Sequence, residues 1–410
     1  MRDNLVIIGG GAAGLFSAVA AASRLGAGRV WVLERLDRVG KKLLATGNGR
    51  CNLTNLECTP ERYHGKDPAF PLAALRALPP KEVLRFFEAQ GVLTRIEGDG
   101  KVYPYSNQAG SVVDALRFAC EARGVRTICG EEIQRLSVNN SRFLLEGNSR
   151  YEAGAVIVTA GGRASPHLGS NGSGYRLLEA FGHKTTFLFP AIVQVKTENT
   201  LTKQLAGVKW ECAAAAVVDG AVLRMEMGEV LFTSYGLSGP PVLQLSRTAG
   251  EFGDRCKICL DLLPAFSERE LRLLLEHRKE TLSSRLLMEF LSGFLPKRLG
   301  QVALKSAGYD LKRSAASLSQ DDCQKMAQHL KCVAFPVTGV MDFKNAQVTA
   351  GGVSTRGFNP ETLMSRRQPG LFAAGEVLDV DGDCGGFNLQ WAFSSGYRAG
   401  LSAAEWLLEP

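Results

Sequence analysis

The chain has 410 residues, 45% hydrophobic and 22% charged, which excludes a disordered or collagen-like protein and supplies apolar material for two or three lobes. No apolar run reaches the ~20 residues of a membrane span and the first residues carry no leader pattern, so a cytoplasmic protein without membrane contact is expected. The net charge of +7 permits an anionic partner without requiring one, and the ten scattered cysteines suit reduced thiols better than a disulfide framework.

Leu5–Ile8 reads as a buried parallel strand, Ala12–Leu25 as an alanine-rich helix and Arg29–Glu34 as the next strand, together a β-α-β unit. Between the first strand and the helix, Gly9-Gly10-Gly11-Ala12-Ala13-Gly14 fits G-x-G-x-x-G. Gly9 suits the tight turn, Gly11 the approach of a pyrophosphate, and Gly14 close helix–strand packing. The helix N-terminus, with Ala12 and Ala13, then offers N–H groups and a positive dipole end to the phosphates. Glu34 ends the following strand, where a carboxylate accepts the ribose hydroxyls and disfavours a 2′-phosphate, and Arg35 follows it. The cradle alone does not choose between FAD and NAD.

Further along, Pro80–Gln90 and Ser111–Arg123 read as helices, and Arg126–Ile128, Ile133–Leu145 and "AVIVTAGG" at Ala155 as strands. After Pro190 the pattern alternates in "IVQVKT", "CAAAAVV", "EVLFTSYG" and "CKICLDL", a β-rich lobe. From Ser267 to about Lys331 it is helical and charged, clearest in "ERELRLLLEHRKETLSSRLLMEF". "AQVTAGGV" and "GLFAAGEV" are strand-like again, and Asn388–Leu408 reads as a closing helix. The expected organisation is a discontinuous cofactor domain of residues 1–190 and 335–410, a β-rich insert at 191–266 and a helical insert at 267–334.

Cys256 and Cys259 form a C-x-x-C, but in a strand they face opposite ways, and no second pair completes a zinc site. The histidines are dispersed: His64, His167 and His183 lack an obvious acid partner, and His277 and His329 lie in polar helical context. No metal is expected. In the helical insert, Lys and Arg outnumber Asp and Glu and carry over half of the net positive charge. That is an RNA footprint if clustered, and an ordinary solvated face with i,i+4 pairs if not.

The C-terminal "PGLFAAGEVLDVDGDCGGFNLQWAFSSGYRAG" resembles the second flavin motif of two-dinucleotide flavoproteins. The resemblance implies that Glu376, after Gly375, holds the ribityl chain and that the last helix points its N-terminus at the flavin ring. "VIVTAGG", with Thr159, Ala160 and Gly161, resembles the strand–turn these proteins place near the adenine half. Together these motifs choose FAD. The N–H groups of Gly385, Gly386, Phe387 and Asn388 would stabilise negative charge on the N1–C2 side of a reduced flavin.

Five motifs in order, "GKKLLATGNGRCNLTN", "VYPYSNQAGSVVDAL", "LFTSYGLSGPPVLQLS", "AQVTAGGV" and "GEVLDVDGDCGGFNLQWAFSSG", resemble one family, the HI0933-like or BaiN/RdsA-type NAD(P)/FAD-dependent oxidoreductases. The resemblance implies an α/β fold: a Rossmann-like FAD-binding domain of glutathione-reductase type with an inserted β-barrel-like lobe and a helical subdomain. It implies three possible reactions: reduction of a uridine in 23S rRNA to dihydrouridine, reduction of conjugated double bonds in bile-acid intermediates, and aminoacetone oxidation. The first is the leading expectation, with 23S rRNA or its precursor particle as partner; a small-molecule enone reductase or amine oxidase is the alternative. With a single G-x-G-x-x-G, NAD(P)H would be a transient visitor. In the family loop, Lys42, Gly49, Arg50, Cys51 and Asn52 are candidate cofactor contacts. Cys51, Arg50 and Cys384 are the candidate catalytic residues, with Tyr103, Tyr105 and Tyr235 as further acids. A thiol beside the Arg50 guanidinium can have a lowered pKa, and the alternative for Cys51 is a small packed residue in a loop shaped for the flavin.

Overall fold

A computed structural model describes residues 4–409. The chain divides into two compact units, one of the residues up to Phe189 together with those from Gln347, the other Pro190–Ala346.

The first unit is built on a five-stranded parallel sheet in the order Leu371–Ala373, Ala155–Val158, Leu5–Ile8, Val30–Glu34, Arg126–Cys129. Leu5–Ile8 and Ala155–Val158 are buried throughout, which is why both read as continuous apolar runs rather than alternating ones. The chain leaves Leu5–Ile8 towards Val30–Glu34 on one side, and Ala155–Val158 lies on the other. This switch of direction leaves a crevice at the carboxyl end of the first strand, where Gly9–Gly14 sits.

The first helix, Ala12–Leu25, packs on the last, Phe387–Leu408. The crossing is close because the last helix presents Gly396 and Gly400 there: a Cβ on either would stand 2.3 Å from the carbonyl oxygen of Ala13 or Ser17. Phe16 meets Phe393 beside them at 5.2 Å between ring centroids. The N-termini of the two helices are therefore fixed relative to one another by backbone contact, not by flexible side chains.

The second unit is a closed barrel of six strands, in the order Val195–Thr197, Gly236–Ser238, Ala221–Phe232, Lys209–Val218, Cys256–Asp261, Val333–Val340. Small interior residues Cys212, Ala214 and Ala216, all fully buried, leave room for Phe232 and Phe335 across the barrel. The helical stretch is not one long helix. It breaks into Glu268–Thr281, Leu287–Phe290, Lys297–Ser306 and Gln320–Lys331, the first opened by a Ser267–Glu270 capping box. These helices share one apolar core with the barrel, so the β-rich and helical inserts form a single body. The boundary expected at residue 335 falls inside the last barrel strand. Among the described residues no helix is long and apolar enough to cross a membrane.

Candidate active site

The glycine cradle has little spare volume. A Cβ at Gly14 would stand 1.9 Å from the Gly9 carbonyl oxygen, and one at Gly9, which has φ +106°, 2.6 Å from the Thr159 oxygen. Thr159 buttresses the turn further by donating its hydroxyl to the carbonyls of Ile8 (3.0 Å) and Gly9 (2.8 Å). At Gly11, by contrast, a Cβ would meet nothing within 4 Å, and no side chain caps the helix that follows. The cradle thus opens at Gly11 with the N–H groups at the start of that helix unclaimed by a cap, as an anion requires. Glu34 is buried and accepts N–H groups from Gly10 (2.7 Å) and Leu36 (2.9 Å). A carboxylate has about four acceptor sites, so this leaves capacity for ribose hydroxyls. Arg35 turns away and donates to the Gly169 carbonyl at 3.0 Å.

The second centre is the turn before the last helix. Gly375 donates its N–H to Ser395 Oγ, and Glu376 accepts the Thr349 N–H (2.9 Å) and pairs with Lys42 at 2.7 Å. The Lys42 and Glu376 expected to contact one cofactor are thus ion-paired to each other. Asn388 clasps the turn through Gly382 N–H, Gly382 O and Asp383 O. Gly386, with φ +102°, begins a helix of 22 residues that has no side-chain cap. A Cβ there would lie 2.5 Å from the Thr54 carbonyl and 3.0 Å from Asn52 Oδ1. That Asn52 oxygen is buried with no hydrogen-bond partner. Two helices with uncapped N-termini, tied by the glycine crossing, and an orphaned acceptor beside one of them suit a ligand with a pyrophosphate and a separate electron-poor ring. The residues present fit FAD.

The family loop meets this turn. Asn55 donates to the Gly385 carbonyl at 3.0 Å, Lys101 Cε would be 3.6 Å from a Cβ at Gly385, and Tyr103 borders Gly47. Arg50 holds a fixed place: its Nε donates to Asn107 (2.9 Å), it pairs with Glu97 at 2.5 Å, and its guanidinium lies 4.1 Å above the Tyr103 ring. Arg50 and Arg95 hold the Glu97 carboxyl below the usual range. Partial burial pushes the Tyr103 hydroxyl up, against the pull of the Arg50 charge, and burial likewise raises the half-buried Cys384 thiol. The cluster therefore holds two weak acids protonated beside two cations.

Cys51 departs from the expectation. It adopts φ +61° and is fully buried, and desolvation pushes its thiol up to about 12, opposed only by the Thr46 hydroxyl. The adjacent guanidinium, engaged by Glu97, Asn107 and Tyr103, does not lower it. Tyr105 is largely exposed on the surface of the first unit, and Tyr235 belongs to the second unit.

Two features escaped the sequence. His64 does have an acid partner, Asp383, at 2.8 Å, and the buried Asp383 also pairs with Arg62 at 3.3 Å. Antiparallel pairing of Tyr63–His64 with Asp381–Gly382 brings them together across a separation of 319 residues. Gln390, fully buried, accepts from the Thr54 hydroxyl and donates to the Leu78 carbonyl and Ser394. A polar amide on the apolar face of the last helix was the available signal for it.

Residues 3–402 match the family model described as HI0933-like protein Rossmann domain. The chain is 38% identical to a protein of Clostridium scindens named 3-dehydro-bile acid delta(4,6)-reductase, over 98% of this chain and 99% of that one. It is 31% identical to a ribosomal RNA dihydrouridine synthase of Haemophilus influenzae, over 97% of each chain. Among solved structures, 3-ketosteroid delta1-dehydrogenase from Sterolibacterium denitrificans shares the fold, with a TM-score of 0.51 and 12% identity over 98% of this chain and 99% of that one. A match along nearly the whole length, and a cradle and turn shaped for a flavin dinucleotide, agree: the chain belongs to the HI0933-like family and is an FAD-dependent oxidoreductase.

Proposed function

We propose that this protein acts in the cytoplasm to saturate a carbon–carbon double bond conjugated to a carbonyl, and that its substrate is a uridine of 23S rRNA. The observation that carries the reading is the meeting of the Arg50 loop, Tyr103 and the Cys384–Gly386 turn at the uncapped N-terminus of the last helix. Reduced FAD, when bound, supplies the hydride. NAD(P)H serves as the transient reductant, since the chain has a single G-x-G-x-x-G.

The chain's own residues hold and protonate. The N–H groups beyond Gly11 take the pyrophosphate, with Glu34 on the ribose and Lys42 and Glu376 on the ribityl side. Those at Phe387 and Asn388 stabilise negative charge on the ring. Tyr103 donates its hydroxyl proton to the carbon that does not receive hydride, and Arg50 above its ring stabilises the phenolate left behind. Glu97 and Asn107 keep Arg50 in that position. Cys384, half-buried in the same cluster, is the second donor candidate. Cys51 shapes the loop.

Two relatives with different named substrates support the bond type, because a dihydrouridine synthase and a bile-acid delta(4,6)-reductase both saturate a double bond. Exposed Lys297, Arg298, Lys305 and Lys312 support an RNA partner, since none has a carboxylate partner among the described ion pairs. The 38% relative favours a second reading, a steroid-like enone. Dihydrouridine in 23S rRNA of cells lacking the gene separates the two: its loss is expected, and undiminished dihydrouridine together with turnover of a 3-keto-4,6-diene by the purified enzyme would replace rRNA with the enone.

Tyr103→Phe should lower turnover about 100-fold or more with the flavin spectrum unchanged. Cys51→Ala should keep turnover within about tenfold, because a thiol this weakly acidic is a poor donor. Rapid-mixing kinetics of flavin reoxidation by substrate reads both; a reversed order assigns the proton to Cys51.

A further inference from the structure

Cys259 faces outward from the barrel strand Cys256–Asp261, next to the strand Val333–Val340, with Cys259 opposite Ala334 and Leu260 opposite Val333. Pairing continues beyond, through the Leu262 N–H to the Leu330 carbonyl at 2.9 Å, so Cys332 lies beside Asp261 on the same face as Cys259. Cys259 and Cys332 are therefore diagonal neighbours across the paired strands, and each is the largest influence on the other's thiol. Cys332 is exposed and Cys259 is buried. The C-x-x-C partner suggested by spacing, Cys256, points into the barrel instead, so the relevant pair spans the two strands.

We propose that Cys332 and Cys259 are a peroxide-oxidised dithiol that closes reversibly into a disulfide, tying the end of the helix Gln320–Lys331 to the barrel wall. The roles follow from exposure. Cys332 is reachable from solvent; Cys259 waits beneath it. The neighbouring Cys259 thiol, aided by the Lys257 charge, draws the Cys332 pKa down, while Cys259 is held protonated. The other exposed cysteine, Cys129, has its thiolate disfavoured first by partial burial and then by the nearby Glu34 and Asp37 carboxylates. Reactivity should therefore concentrate at Cys332.

The chemistry balances. The Cys332 thiolate attacks hydrogen peroxide, the O–O bond breaks, and a sulfenic acid and hydroxide form, the hydroxide leaving as water with a proton from solvent. The Cys259 sulfur then displaces the hydroxyl as a second water, losing its proton, and the S–S bond forms. Two thiols lose two electrons and peroxide gains them. A small dithiol reverses the reaction by exchange.

The test uses full-length, FAD-loaded protein, reduced and then freed of reductant. It is exposed to graded hydrogen peroxide, blocked with N-ethylmaleimide and digested with trypsin. Cleavage places Cys259 in Ile258–Arg269, Cys332 in Cys332–Lys344 and Cys256 in a separate dipeptide. The expected result is a linked Ile258–Arg269/Cys332–Lys344 pair forming about tenfold or more faster than Cys129 oxidation, and cleared by dithiothreitol. Cys259→Ser should leave Cys332 stalled as a sulfenic acid that dimedone traps. Oxidation of Cys129 first, or of Cys332 in the wild type without the cross-link, overturns the proposal. The wild-type map decides even if a variant fails to fold, and none of its outcomes depends on which substrate the flavin reduces.

Discussion

Gly396→Val is expected to lower the free energy of unfolding by roughly 3 kcal/mol or more and to yield protein that no longer retains FAD. At this position even a single Cβ would stand 2.3 Å from the Ala13 carbonyl oxygen, and the obstacle is helix backbone that cannot rotate away. Valine adds two further methyl groups at the same place. The first and last helices must then part or slide. Their N-termini begin at the cradle and at the Gly386 turn, so a shift of either separates the two halves of the cofactor site. Urea unfolding followed by circular dichroism reads the first effect, and flavin absorbance after gel filtration reads the second. Flavin retained at the wild-type level would mean that the crossing does not set the distance between the two N-termini.

Gln390→Leu should destabilise the fold by about 2–3 kcal/mol and weaken flavin retention, although leucine has nearly the same size. The amide is fully buried and serves three partners: it accepts from Thr54 and donates to Leu78 and Ser394. Leucine leaves the buried Thr54 hydroxyl with only the Asn55 carbonyl at 3.5 Å, while Leu78 keeps its bond from Ser394 at 2.7 Å. The Thr54 carbonyl is what Gly386 packs against at close range, so loosening Thr54 loosens the turn itself. Denaturation midpoints of the variant, with and without added FAD, check this. Equal midpoints for variant and wild type would show that the Gln390 amide contributes no net stability.

The cradle was legible because its chemistry is local. Gly9, Gly11 and Gly14 are two to five residues from one another, and the strand and helix that flank them announce themselves by apolar pattern. The last helix was legible for the same reason, to within one residue of its observed start at Phe387. The break after Thr281 was not, because "ETLSSRLLMEF" has no proline or glycine to mark it. There the chain turns so that Leu287 and Phe290 can enter the barrel core, a tertiary demand that outweighs helix propensity.

The sequence by itself determined the β-α-β unit, the dinucleotide cradle and the alternation that closes into a barrel. Each rests on residues a few positions apart, where periodicity and backbone geometry act directly. Only the tertiary structure decided the ionisation state of Cys51, because desolvation is a sum over atoms from many segments, and the sequence neighbour Arg50 is engaged elsewhere. The same holds for the partners of His64 and Cys332. Asp383 and Cys259 reach them through strand pairing, and register between distant strands is not written in either strand alone.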